Sequence, residues 1–166
     1  SSSGGSIYIE NPAQSDNDKY IINNCSFVNS CSYSGGSIYI NKGIEYVTIS
    51  NSTFNGGSVN NNGVAIYAKF NEQVIIDSVY FVNQSCYNKY LIYSSCSLLE
   101  MEHCFIENSV TGSGVQGICL ESGNATISDV VFNNCIIGVV VLSNCQYAAI
   151  TNNTFNDCYH YNGGTY

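Results

Sequence analysis

Asp77, Glu102 and Asp129 stand 25 and 27 residues apart, with Glu100 close to the second of them. If the chain folds into stacked repeats, carboxylates at that period come side by side. A pair about 5 Å apart can hold Ca²⁺ or divide the roles of acid and base in glycoside cleavage. Cleaving an acidic polymer also needs basic groups to hold it, and the chain has no Arg and only four Lys. The bland reading of the same residues is solvated charges at the bends of a repeat, so no catalytic residue and no cofactor is assigned. His103-Cys104 and Cys158-x-His160 are the only His and Cys neighbours, and neither has zinc-ligand spacing. A Cys–His nucleophile would also need a third, orienting group, and none is evident. His103, two residues before Phe105, is expected to point inward.

Three other sets of residues carry chemistry. Sequons of the form N-x-[ST] begin at Asn24, Asn51, Asn83, Asn124 and Asn152. Composition alone supplies about four in a chain this rich in Asn, so their positions matter more than their number. Asn24, Asn51 and Asn152 each lie three residues before a Phe, where a sharp corner is expected. There an amide facing solvent would accept an N-linked glycan, and one facing inward would join a hydrogen-bonded ladder. Tyr8, Tyr39, Tyr67 and Tyr93 occupy one place in a recurring strand and should form an outward row. Such a row suits a sugar or a neighbouring molecule, or serves only to stiffen a parallel stack. Nine Cys without C-x2-C spacing favour disulfides in an oxidising compartment, with at least one thiol left over. Cys135 and Cys158, each three residues after a Phe, are the expected pair, whereas Cys31 and Cys86 fall two repeats apart and out of reach.

The elements that must position these residues are short strands in a repeat. Gly35-Gly-Ser-Ile-Tyr-Ile40 reappears at Gly4 to Ile9, and its weaker copies place Ile7, Ile38, Ile66, Ile92, Ile118, Val140 and Tyr166 in one column. A second anchor, at Phe27, Phe54, Phe81, Phe105, Phe132 and Phe155, recurs at the same period. Five residues before these stand Ile22, Ile49, Ile76, Ile127 and Ile150, with Glu100 as the exception. Alternation of period two, β-branched residues and intervening Gly or Asn mark strands and turns, and no stretch has helical spacing. Repeats of 22–31 residues without helix predict an all-β, right-handed parallel β-helix of about six coils, stacked about 4.8 Å apart and without a capping helix. With only five Leu, a leucine-rich repeat is excluded.

Residues 1–166 read as one β-helix domain, or as a segment of a longer one. A net charge of −8 and the lack of clustered cations exclude nucleic acid as a partner. The longest apolar run, Ile136 to Leu142, is too short to enter a bilayer as a spanning helix.

Gly-Gly-Ser-Ile together with Phe105-Ile-Glu-Asn108, and more loosely Phe27-Val-Asn and Phe81-Val-Asn, resembles the repeats of chlamydial polymorphic outer-membrane proteins, which are similar to repeats in large protist surface proteins. The resemblance implies a right-handed β-helix at a cell surface with an adhesive role. Gly163-Gly-Thr-Tyr166 echoes the opening repeat, so the last strand could stack on the first strand of another copy or on adjoining coils. The expected protein is extracellular, structural or adhesive and glycosylated, and it builds a filament. A polysaccharide-cleaving or carbohydrate-binding β-helix is the alternative.

Overall fold

The computed structural model describes residues 5–10, 18–41, 43–60, 62–86, 90–111, 116–135, 138–142 and 144–158. These form 18 strands, and the described residues contain no helix. Each rung contributes one strand to each of three faces. The first rung is β1 (Ile7–Glu10), β2 (Lys19–Asn23) and β3 (Ser26–Ser32), and the second is β4 (Ile38–Asn41), β5 (Tyr46–Ser50) and β6 (Thr53–Val59). In the third and fourth, β7 (Ile66–Asp77) and β10 (Ile92–Glu102) run unbroken along two faces, and β8 (Tyr80–Val82) and β11 (Phe105–Glu107) supply the last. Two further short strands, β9 (Ser85–Cys86) and β12 (Val110–Thr111), pair beside them. The fifth rung is β13 (Gln116–Leu120), β14 (Gly123–Ser128) and β15 (Val131–Asn133), and the sixth is β16 (Gly138–Leu142), β17 (Cys145–Thr151) and β18 (Thr154–Asn156).

Every pairing is parallel and joins a strand to the equivalent strand of the next rung, as in the orders β1-β4-β7-β10-β13-β16 and β18-β15-β11-β8-β6-β3. This is a parallel β-solenoid. Six rungs pair in succession, and the solenoid amounts to about four turns against the about six coils expected. The first anchor column is in register throughout the described rungs: Ile7, Ile38, Ile66, Ile92, Ile118 and Val140 pair in succession. Tyr166 lies outside the described residues.

The Gly-Gly pair that opens the repeat has two separate jobs. Gly35 takes a left-handed conformation, φ 61°, and a Cβ on Gly36 would overlap the carbonyl oxygen of Val64 on the next rung.

The second anchor column is corrected by one residue in the fourth rung. Phe81 pairs with Ile106, not Phe105, and Ile106 pairs with Phe132. Phe105 instead lies beside Tyr80 on the outer face. Because side chains alternate, that single step moves the whole segment to its opposite faces. Met101 therefore fills the column of Ile22, Ile49, Ile76, Ile127 and Ile150, and Glu100 points away from it. The apparent exception at Glu100 disappears. In Phe105-Ile-Glu-Asn108 the residue that faces in is Ile106, and the recurring structural unit is an inward apolar residue followed two positions later by a corner residue.

Two corners per rung explain how the chain turns. The first holds Asn24, Asn51, Ser78, His103, Asp129 and Asn152, with φ between 47° and 57°. The second holds Asn29, Gly56, Asn83, Asn108, Asn134 and Asp157, with φ between 49° and 65°. Asn, Asp and Gly bear this left-handed conformation at least cost. The corner N–H groups still bond to the next rung, for example Asn24 N to Ser50 O at 3.1 Å and Asn134 N to Asn156 O at 2.9 Å.

Candidate functional site

At seven of the twelve described corners the residue just after the bend adds a side-chain donor to the carbonyl two positions before it. In most rungs that carbonyl already accepts the corner N–H of the preceding rung, as Glu102 O does from Ser78 N at 3.1 Å. Cys25 Sγ donates to Asn23 O, Ser52 Oγ to Ser50 O and Cys104 Sγ to Glu102 O at the first corner. At the second, Gln84 Nε2 donates to Val82 O, Ser109 Oγ to Glu107 O, Cys135 Sγ to Asn133 O and Cys158 Sγ to Asn156 O. Several reach the neighbouring rung as well: Cys104 to Ile76 O, Cys135 to Ile106 O and Cys158 to Phe132 O. Thiol, hydroxyl and amide all serve as the donor here, and at Val79 and Val130 the same inward position is filled by a buried apolar side chain instead.

No disulfide joins the cysteines whose side chains are described: Cys135 and Cys158 carry free thiols that donate to Asn133 O and Asn156 O, and the two thiols lie close enough to interact. Burial pushes the thiols of Cys96 and Cys135 up to about 11 and that of Cys104 up to about 12, which suits donors rather than nucleophiles. The side chain of Cys86 lies outside the described residues.

The acidic candidates do not converge. Asp77 and Glu102 pair on adjacent rungs, but Glu102 is followed in that column by Ser128, whose hydroxyl donates to Glu102 Oε1 at 3.2 Å. Asp129 sits one residue further on, in the corner column. Among the described residues no group of three or more His, Cys, Asp and Glu side chains is placed to hold a metal ion. His103 is also corrected: it occupies a corner, is exposed, and its Nδ1 lies 2.9 Å from Asp77 Oδ1. That hydrogen bond raises its pKa above the usual imidazole value, against a smaller opposing effect of desolvation.

The tyrosine row is present in the expected register, Tyr8, Tyr39, Tyr67, Tyr93 and then Cys119. Ring centroids lie 5.2, 4.9 and 4.9 Å apart with interplanar angles of 2°, 1° and 14°. The rings spend their faces on one another, so only edges turn outward along most of the row. Exposure also falls along it, from 51% at Tyr8 to 8% at Tyr67 and 7% at Tyr93. Tyr67, Tyr93 and Cys119 form a small second core with Tyr39 and Tyr90 packed against it. Tyr8 donates to Glu10 and Tyr93 to Glu121. Burial pushes the phenols of Tyr67, Tyr90 and Tyr93 up, aided at Tyr93 by that bond to Glu121. An open sugar platform along four rings is not what this geometry offers.

Four of the five sequon asparagines are exposed at corners: Asn24, Asn51 and Asn152 at the first and Asn83 at the second. Asn124 is different. It is half-buried within β14, paired with Leu98 on one side and Tyr147 on the other.

The last described rung carries the largest departure from the core pattern. Ile150 and Phe155 are 45% and 49% exposed, although Ile127 and Phe132 in the same columns are at 0%. Sequence columns did not single these residues out, because they carry the same letters as their buried neighbours. Gly163 to Tyr166, on which the end-to-end expectation was first based, lie outside the described residues.

These features define a parallel β-solenoid with two donor-capped corners and two aromatic stacks. No known protein family, curated protein or solved structure matches the chain.

Proposed function

We propose that this solenoid is an extracellular structural or adhesive element that extends by rung-on-rung pairing, with a second copy or adjoining coils, into a glycosylated surface filament. The observation that carries the reading is the in-register parallel pairing of every rung, which a further rung could continue. Ile150 and Phe155, in the columns of Ile22 and Phe27, are exposed on the last described rung, whereas Ile22 and Phe27 on the first are buried. Residues 138–158 contain one acidic side chain and no Lys, so this edge lacks the charges that usually discourage strand addition. The extracellular placement draws on the charge-poor surface, the exposed corner sequons and the resemblance of the repeats. The cysteines are not part of this argument: those whose side chains are described carry free thiols, and four of them donate to corner carbonyls.

Electron microscopy of the purified protein tests the reading. Fibres with a subunit repeat of about 29 Å, six rungs at the inter-strand spacing, are the expected result, and Phe155→Asp should abolish them. Discrete particles at all concentrations would sink the filament.

A polysaccharide-cleaving site keeps one observation in its favour, the Asp77–His103 contact beside Glu102. Replacing Asp77, Glu102 and Asp129 together should then abolish a measured cleavage and leave fibres intact.

A further inference from the structure

The corner geometry distinguishes sequons that are identical as motifs. Asn24, Asn83 and Asn152 project from bends at which the backbone already turns away from the sheets. Asn124 does not, because its neighbours on both sides are strand partners and its own side chain is half-buried. A glycan there would have to leave between Leu98 and Tyr147.

Asn24 and Asn51 conflict with each other. They are consecutive residues of one corner column, about 4.8 Å apart along the stack, which is less than the width of a pyranose ring with its hydration. Asn51 Nδ2 also donates to Asn23 Oδ1 at 3.0 Å, so its side chain leans toward the rung that carries Asn24. Ser50 Oγ donates to the same oxygen at 3.0 Å, holding Asn23 in place. Asn83 has a similar tie, its Nδ2 donating to Asn55 Oδ1 at 3.2 Å, but the residue at its corner on the preceding rung is Gly56, so no second sequon competes there.

We infer that the solenoid sorts its sequons: Asn24, Asn83 and Asn152 carry N-glycans, Asn51 carries one only where Asn24 does not, and Asn124 carries none. The sugars would then lie along the two corner edges and leave the tyrosine row bare. This rests on the reading that the protein passes through a glycosylating secretory compartment.

Site-by-site glycopeptide mass spectrometry of the full chain, secreted from a eukaryotic host, tests it. Occupancy at Asn124 should be at least roughly tenfold below that at Asn152. Ser26→Ala removes the Asn24 sequon at an exposed position and leaves the left-handed Asn24 in place. It should raise occupancy at Asn51 several-fold. Thr53→Ala, which removes the Asn51 sequon, should leave Asn24 fully used. Molecules bearing sugar on both Asn24 and Asn51, or full occupancy at Asn124, would overturn the sorting while leaving the secretory reading intact. Secreted protein with all five sites bare would overturn both.

Discussion

The phenylalanine column and the tyrosine row stack their rings almost identically, with centroids 4.6–5.0 Å apart in the first and 4.9–5.2 Å in the second. The first lies in the main core, on the inner side of the six-stranded sheet, and the second lies on the outer side of the ten-stranded sheet. Ring stacking in this molecule is thus a consequence of rung register, whichever face the rings occupy. Burial is what separates the two. The inner column replaces a ring by Ile106 and stays buried from Phe27 to Phe132, opening only at Phe155 on the last described rung, whereas the outer row passes from an exposed Tyr8 to a buried Tyr93 with its rings still stacked. Aromatic character matters less than the volume each position must fill.

Substitutions can break that comparison. Phe54→Ala should have the largest effect, about 3–5 kcal/mol, because the ring is fully buried and stacked on both Phe27 and Phe81. The shift of the denaturation midpoint measures it. Met101→Ala should cost about 2–5 kcal/mol and Glu100→Ala less than about 1 kcal/mol. The reverse order would show that the fourth rung keeps the register suggested by Phe105. Tyr67→Ala, in the smaller outer core, should cost about 1–3 kcal/mol, and Tyr8→Ala under about 1 kcal/mol. Equal losses at the two tyrosines would mean that stacking, and not burial, sets stability in the row.

Two further tests concern protons. Cys104→Ser should be nearly neutral, and Cys104→Ala should cost about 1–2 kcal/mol by removing a buried side chain together with its hydrogen bonds to Glu102 O and Ile76 O, although Glu102 O still accepts from Ser78 N. The dependence on pH separates the two ladders. Tyr67, Tyr90, Tyr93, Cys96, Cys104 and Cys135 all have folded-state values raised chiefly by burial. A raised value means that the native state holds the proton more tightly. The contribution is complete below the unfolded values, about 8.5 for thiols and 10 for phenols, and is lost as pH climbs through the folded ones. Stability should be level near neutrality and fall from about pH 9 upward. Tyr93→Phe should flatten that slope, and Phe54→Ala should shift the whole curve without changing it. Denaturant titrations at several pH values, followed by phenolate absorbance, would show both.

Much of the architecture was legible in the sequence because the pattern in each column is simple. The Ile column and the tyrosine row needed only alignment of Gly-Ser-Ile-Tyr-Ile, and their pairings follow it residue for residue. Phe105 misled because a Phe next to an Ile looks like the better anchor, and only the pairing with Phe81 shows which one faces in. The role of the cysteines was hidden for a different reason. A thiol that caps a carbonyl two residues back does so across a backbone bend, and the letter alone cannot distinguish it from a disulfide partner. Exposure at Ile150 and Phe155 depends on which rungs cover them, a property of the stack and not of the repeat.

In all six rungs the two corners are five residues apart, from Asn24 and Asn29 to Asn152 and Asp157. The stretch from each second corner to the next rung's Ile-column residue varies instead, from 10 residues between Gly56 and Ile66 to 6 between Asn134 and Val140. The five-residue span therefore behaves as a gauge that resets the alignment once per coil, and length changes are absorbed elsewhere. For protein engineering, one edge of the solenoid should resist insertion, while the connections between second corners and Ile-column strands should accept foreign peptides with the neighbouring rungs still in step.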